Sequence, residues 1–254
     1  MVLMVLGSIG FSTIRDLFGI EKLKMRLRYP WRQWELNTKI SVYMTLAIVG
    51  VTSVLFFITE SSSTLSGMKI SEGIITSVFQ TVTRTGGYNT VDISQIGIPS
   101  LIMVMFLMFI GGSSASTAGG VKTSTLFIML LSAYTTIKGN KKLEAFKRNI
   151  SLELLHKAFT IFGFATLFVL TGIFALSIIE PDIDLVDLAF EEISAFGTTG
   201  LSRGITAQLS DSGKVCLLIS MFVGRVSTLA LFFSLSTPQT SYSHKYPDTN
   251  FMIG

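Results

Sequence analysis

The chain has 254 residues, 49% of them hydrophobic and only 14% charged, with a mean hydropathy of +0.60. Soluble domains carry about 25% charged residues, and a soluble core has no need of several separate apolar runs near the length that spans a bilayer. Twenty Lys and Arg against 16 Asp and Glu leave a net charge of +4, and the lone Cys216 excludes an internal disulfide and suggests no metal cluster.

Residues 2–12 are apolar, yet no basic segment precedes them and no small-residue cleavage site follows, so they read as a helix remnant rather than a signal peptide. A basic stretch runs to about Lys39, and Ile40 to Thr59 then forms a transmembrane span. Ser71 to Val82 is too short and too polar to cross, and it ends in Thr85-Gly86-Gly87-Tyr88, the pattern of a re-entrant segment. A second span, Ile98 to Ile110, breaks at Gly111 to Gly120 before an apolar run resumes from Leu126 to Ala133.

The same order then recurs. Ala158 to Ile179 is a long span, Leu185 to Phe196 a short segment, Thr198-Thr199-Gly200-Leu201 a glycine loop, and Val215 to Leu235 a long apolar run. Gly87 to Gly111 and Gly200 to Gly224 are each 24 residues apart, which sets the register of an internal repeat and aligns Gly112 with Arg225. Val5 to Phe11 resembles another broken span with no filter before it, so the chain is expected to start mid-repeat.

Charge gives the orientation. Lys22, Lys24, Arg26, Arg28, Arg32 and Lys39 crowd one connector, and Lys138, Lys141, Lys142, Lys147, Arg148 and Lys157 another; short basic loops face the cytoplasm. These clusters lie between spans, so topology explains them without nucleic acid. Glu60, Glu72, Glu180, Asp182, Asp184, Asp187, Glu191 and Glu192 fall on the opposite connectors, where an acidic field would concentrate cations.

A bilayer tolerates non-helical backbone only beside protein or water, so a glycine loop at membrane depth lines a pore or cavity. In a potassium filter, backbone carbonyls replace the hydration shell, and Thr-Val-Gly-Tyr-Gly is the reference pattern. Thr85, Gly86, Gly87, Tyr88 and Thr198, Thr199, Gly200, Leu201 share the form Thr-x-Gly-hydrophobe; either loop alone reads equally as a helix C-cap. A pore helix entering from outside points its partly negative C-terminus at the loop, which favours a cation.

Arg84, before the first loop, reads as a buried structural arginine bonded to loop carbonyls. Arg225 lies inside an apolar run, an expensive place for charge. With Gly111, Gly112, Ser113, Ser116, Thr117, Gly119, Gly120 and Lys122 it reads as a gate, a movable glycine-rich plug beside a fixed positive charge. The alternatives are an Arg225 that pairs with helix-end carbonyls and a Lys122 that is structural or snorkels to the interface. The chain offers no phosphate-binding loop, metal-ligand spacing or nucleophile–base set, so no enzyme and no cofactor is expected; His156 and His244 fall in or beside the cytoplasmic connectors.

At these residues the sequence resembles the superfamily of potassium transporters that includes Trk, Ktr and plant HKT proteins. Arg84 to Asp92 and Ser194 to Ser202 look like the third and fourth filters of a Ktr membrane subunit, and Tyr246-Pro247 with Ile253-Gly254 resembles the Ktr C-terminus. The resemblance implies an all-α membrane protein of repeated M1-P-M2 units: a helix, a re-entrant pore helix with its filter loop, and a helix. Residues 1–38 would hold a remnant M2 and a basic connector, 39–150 a third-repeat-like unit with a broken M2, and 151–254 a fourth-repeat-like unit and tail. It also implies potassium as the transported ion, a homodimer of membrane subunits in the bacterial cell membrane, and a cytoplasmic nucleotide-binding ring as regulator. Departures from the family pattern are Gly86 and Tyr88 for Ala and Phe, Ser114-Ala115 for Pro-Gly, and Ser227-Thr228 for Gly-Pro. A sodium-permeable channel of the same fold and a non-conducting scaffold remain the other readings.

Overall fold

In the computed structural model, residues 1–29, 34–139, 142–146 and 148–226 are described. Arg32, Lys141, Lys147, Ser227-Thr228, His244, the Ktr-like ending and the last span beyond Val226 lie outside the described residues.

The described residues are mostly helical. Helices α1 (Val2–Ile9) and α2 (Phe11–Phe18) meet at Gly10, and α3 (Ile20–Arg28) carries much of the first basic connector. The long α4 (Leu36–Glu60) precedes the short α5 (Ile70–Val82), whose first turn is closed by Glu72 accepting the Lys69 amide at 3.4 Å. α6 (Ile98–Phe109) starts with Pro near its N-terminus, where its missing N–H costs nothing. After an irregular loop, α7 (Thr123–Ile137) leads to a two-stranded antiparallel hairpin, β1 (Glu144–Ala145) and β2 (Arg148–Asn149). α8 (Leu152–Ile179), α9 (Leu185–Phe196) and α10 (Asp211–Val226) complete the described chain.

α4 and α8 are long and apolar enough to cross a membrane, and only 17% of the apolar window of each is buried within the protein. A core helix of a soluble protein would be mostly covered; here Leu46, Val54, Leu167, Leu170 and Phe174 stand exposed. The covered faces pack closely. Phe56 of α4, Leu101, Val104 and Met108 of α6, and Phe190 of α9 form one cluster, while Leu176, Leu188 and Leu217 join α8, α9 and α10 in another. Between helices in lipid such packing stabilises through close van der Waals fit, since lipid is itself apolar, and small residues allow it. Gly172 of α8 and Gly224 of α10 provide that fit: a Cβ at the first would meet the Glu192 carboxylate, and at the second the Phe196 carbonyl.

One contact is made twice. The carboxylate of Glu60, at the end of α4, accepts the Gly97 amide at the start of α6 at 3.1 Å. That of Glu180, at the end of α8, accepts the Ser210 amide just before α10 at 2.7 Å. Gly97 and Ser210 stand in the same register as Gly87 and Gly200. In each half a carboxylate binds orphan helix-start donors that have no intrahelical partner.

Candidate functional site

The two glycine loops meet at the ends of the two short helices. α5 runs into a 3-10 turn, Thr83–Thr85, and the chain reverses at Gly87 with φ +71°. α9 ends at Phe196, and Thr198 (φ +50°) and Gly200 (φ +85°) turn the second loop. Left-handed backbone is costly for residues with a side chain, which accounts for glycine at the two turning positions. Gly86, at φ −137°, does not require glycine for its conformation.

Contact between the loops is direct. The Thr199 hydroxyl donates to the Arg84 carbonyl at 3.0 Å, and a Cβ on Gly87 would strike the Thr199 carbonyl. The Thr83 hydroxyl donates to the Tyr88 carbonyl and closes the first loop on itself. Arg84 is buried and its Nη1 has no hydrogen-bond partner among the described residues. Gly86, Tyr88 and Gly200 face open space, while Leu201 and Thr199 are buried.

The loop between α6 and α7 lies against both. Its neck is closed by Gly111 N–H to Val121 O at 2.9 Å, Val121 N–H to Phe109 O at 3.0 Å and Thr123 N–H to Gly112 O at 3.0 Å. Its far side is tied to the break between α1 and α2: Ser113 N–H donates to Ser8 O at 2.8 Å, the Ser113 hydroxyl donates to Ile9 O, and Phe11 N–H donates to Ala115 O at 3.0 Å. Gly119 N–H reaches the Thr198 hydroxyl at 3.1 Å, so this loop touches the second glycine loop. Gly120 N–H donates to Gly224 O at 3.3 Å on α10, and the Arg225 guanidinium donates to the Thr117 carbonyl. Lys122 turns back to donate to Ala118 O. Two cavities flank the assembly. One of about 720 Å³ is lined by Met4, Ser8, Thr85, Gly86, Tyr88 and Thr117, and the other, of about 500 Å³, by Thr198, Thr199, Gly200, Leu201, Met221 and Arg225. The Arg225–Thr117 bond joins a lining residue of one to a lining residue of the other.

Residues 1–245 match the family model described as "TrkH: Cation transport protein". The chain belongs to the TrkH cation transport protein family. It is 36% identical, over its whole length and 56% of the relative, to Ktr system potassium uptake protein D of Bacillus subtilis. It is 35% identical, over 99% of its length and 56% of the relative, to potassium/sodium uptake protein NtpJ of Enterococcus hirae. Among solved structures, the potassium transporter TrkH from Vibrio parahaemolyticus superposes with a TM-score of 0.72 at 17% identity, covering 92% of this chain and 50% of that one, which shows a shared fold. The chain thus spans about half the length of the relatives it matches.

Several expectations are corrected in this TrkH-family chain. The stretch from Gly111 to Gly120 is fastened in this structure by backbone and hydroxyl bonds at its neck, at the α1–α2 break, at Thr198 and at α10. Lys122 donates to the Ala118 carbonyl of the loop, one turn away. Arg225 pairs with a loop carbonyl and not with a helix end. Arg84 is buried as expected, but its Nη1 is not bonded to loop carbonyls. Not all of the acidic residues contribute to an open acidic field: Glu60, Glu191 and Glu192 are buried, and Asp187 pairs with Arg203. They hold loops together, as when Glu191 accepts hydrogen bonds from the Ser202 and Thr206 hydroxyls behind the second glycine loop. Sequence reasoning passed over Thr83, whose bond closes its own loop, and Ser8, whose partner Ser113 is distant in the chain; neither contact leaves a spacing signal.

Proposed function

We propose that this chain forms part of the pore of a Ktr- or Trk-type potassium uptake subunit, with ions passing the backbone carbonyls of residues 85–88 and 198–201. The observation that carries this reading is the abutment of two glycine-turned loops at the C-terminal ends of two short helices, directly against a third glycine-rich loop. Helix C-termini and carbonyls present partial negative charge, which suits a cation that exchanges water for protein oxygen. On this reading α4, α5 and α6–α7 are one M1-P-M2 unit within residues 39–150, α8, α9 and α10 are the next within 151–254, and residues 1–38 contribute the end of an earlier M2. The glycine loops face outward and the basic connectors face the cytoplasm. The repeated carboxylate contacts of Glu60 and Glu180 favour two copies of one unit.

The loop from Gly111 to Gly120, with Ser113, Ser116, Thr117, Lys122 and Arg225, acts as the gate: Arg225 latches Thr117 between the two cavities. The complete assembly is a homodimer of such subunits controlled by a cytoplasmic nucleotide-binding ring. A sodium-permeable variant is a second reading, favoured by the potassium/sodium name of the Enterococcus relative.

Potassium-limited growth of an uptake-deficient bacterium tests the reading. The chain is expressed alone and joined to the remaining N-terminal part of the Bacillus relative, each with and without Gly200→Ser. Rescue that disappears in Gly200→Ser is expected. Rescue indifferent to that change refutes the filter role of Gly200, rescue by neither chain turns the reading toward a non-conducting scaffold, and uptake of radioactive sodium at the same rate as potassium turns it toward the second reading.

A further inference from the structure

The corner between α2 and α3 carries an apolar patch that the described residues leave largely uncovered. Gly19 makes the corner tight, since a Cβ there would strike the Arg15 carbonyl. Around it Phe18, Ile20, Leu23 and Leu27 are 64%, 73%, 48% and 79% exposed, and no residue of α3 is buried. At 3.6 residues per turn, positions 20, 23 and 27 fall within about 60° of arc and form one stripe. The other side of the helix fixes where that stripe points. Lys22 donates to Asp16 Oδ1 at 2.9 Å and to Glu35, while Arg26 donates to Asp16 Oδ1 at 2.9 Å and to the Asp16 carbonyl at 2.6 Å. Lys22, Met25 and Arg26 line a cavity of about 430 Å³ against α2, and the stripe residues do not.

Charge and position select what covers the stripe. Lys24 and Arg28 are exposed along its edge, and Glu21 is the sole acid in α3. On α2, exposed Arg15 stands between exposed Phe11 and Phe18 on one helical face. An apolar strip bordered by cations is the pattern of a helix that lies on an anionic lipid surface, where phosphates meet the cations and acyl chains the apolar side chains. Position agrees with this. The Glu35 amide donates to Asp16 Oδ2 at 3.1 Å, and the Asn37 side-chain amide reaches the Ser12 hydroxyl at 3.4 Å, so α3 is held beside the first turn of α4. There the long apolar helix begins, which in a bilayer is the level of the headgroups. Tyr29 and Trp34, both partly exposed, flank the connection between α3 and α4, as aromatic residues do at membrane interfaces.

We propose that α3 is an interfacial anchor on the cytoplasmic leaflet: Phe18, Ile20, Leu23 and Leu27 enter the boundary of the acyl chains, and Lys24 and Arg28 meet anionic headgroups. A helix of nine residues is short for independent binding, but the Asp16 contacts and α4 hold this one at the surface already. The proposal rests on the membrane placement and orientation given above but not on ion conduction.

Bimane fluorescence of single-cysteine proteins tests it, in vesicles of phosphatidylcholine with or without phosphatidylglycerol. Each protein carries Cys216→Ser and one of Glu21→Cys, Leu23→Cys, Leu27→Cys or Leu46→Cys, as the full chain and as the chain joined to the N-terminal part of the Bacillus relative with its other cysteines replaced. None of these substitutions touches the Asp16 contacts. Labels at 23 and 27 should be quenched by phosphatidylcholine brominated on its acyl chains and protected from aqueous iodide, and the label at 21 should show the reverse. With phosphatidylglycerol present, Lys24→Gln and Arg28→Gln should each lower the ratio of inserted to free label at 27 about fivefold, and in phosphatidylcholine alone by less than about twofold. Labels at 23 and 27 shielded from both quenchers would show that protein covers the stripe, and quenching by iodide that water does; either result overturns the proposal, as does an equal effect of Lys24→Gln and Arg28→Gln in the two lipids. Leu46, exposed on α4, reports the membrane placement separately. Bromolipid quenching at 46 but not at 23 and 27 overturns the seating of α3 alone, and its absence at 46 overturns the membrane placement with it.

Discussion

Gly87 and Gly200 occupy equivalent turns, yet an added methyl meets different surroundings at each. Both have left-handed backbone, φ +71° and +85°, so alanine costs about 1–2 kcal/mol at either from conformation alone. At Gly87 the new Cβ would also run into the Thr199 carbonyl and lie 3.4 Å from the Gly200 carbonyl carbon, backbone that cannot rotate aside. Overpacking of that kind adds about 1–3 kcal/mol. At Gly200 nothing lies within 4 Å, and the methyl enters the cavity bounded by Leu201 and Arg225. Gly87→Ala should therefore melt lower than Gly200→Ala by about 4–8 °C, the equivalent of the additional clash of about 2 kcal/mol. Both should reduce rubidium flux in liposomes when carried in the complete subunit, but only Gly200→Ala should do so with near wild-type stability. Thermal unfolding in detergent checks the first half and flux the second. Equal melting temperatures would show that the two loops do not abut, and unimpaired flux through Gly200→Ala would show that its cavity is not on the ion path.

Arg225→Gln removes a charge-assisted hydrogen bond to the Thr117 carbonyl, an interaction worth about 1.5–3 kcal/mol. If that bond holds the gate shut, potassium flux should rise about tenfold or more, and a fall would assign Arg225 to the bundle instead. Glu180, at the end of α8, is held below the usual carboxylate range by hydrogen bonds from the Ser210 hydroxyl and amide. Because its carboxyl is depressed in the folded state, its contribution is complete at neutral pH and is lost as pH falls through the depressed value. Glu180→Gln should thus melt below wild type at pH 7, with the gap narrowing only as pH falls below the ordinary glutamate value of about 4.3; a gap that widens on acidification would contradict the contact.

What the sequence revealed depended on how local each signal was. The short helix from Leu185 to Phe196 has the predicted bounds, because acidic residues lead into it and glycine follows it. α8 begins at Leu152, well before the predicted Ala158, since apolarity alone misses first turns broken up by Glu153, His156 and Lys157, the last bonded to Glu153 at 2.6 Å. α10 likewise starts at Asp211, before the predicted Val215, with an acidic residue where a helix start favours one. The glycines of the site were legible as turns, but what each turn touches was not. Gly119 and Thr198 are far apart in the chain, and only the packing of α6 against α9 brings them together.

The acidic residues show the same limit from the other side. By composition Glu60 and Glu192 belong with Asp182 and Asp184 on one outward face. In the fold, Glu60 reaches back to the Gly97 amide and Glu192 lies against Gly172, accepting the Ser220 hydroxyl at 2.6 Å. Glu192 has a single donor, with no partner at its Oε2 among the described residues, and it fits because the neighbouring helix has no side chain in the way. Glycine at position 172 is that opening, so the two residues form one device although nothing in their spacing joins them. The same pairing of a small residue with a bulky polar neighbour recurs at Gly213, where an added Cβ would lie 2.6 Å from the Glu180 carboxylate. In a chain where helix packing gains little from apolar burial, these fitted polar contacts fix which helices meet and in what register.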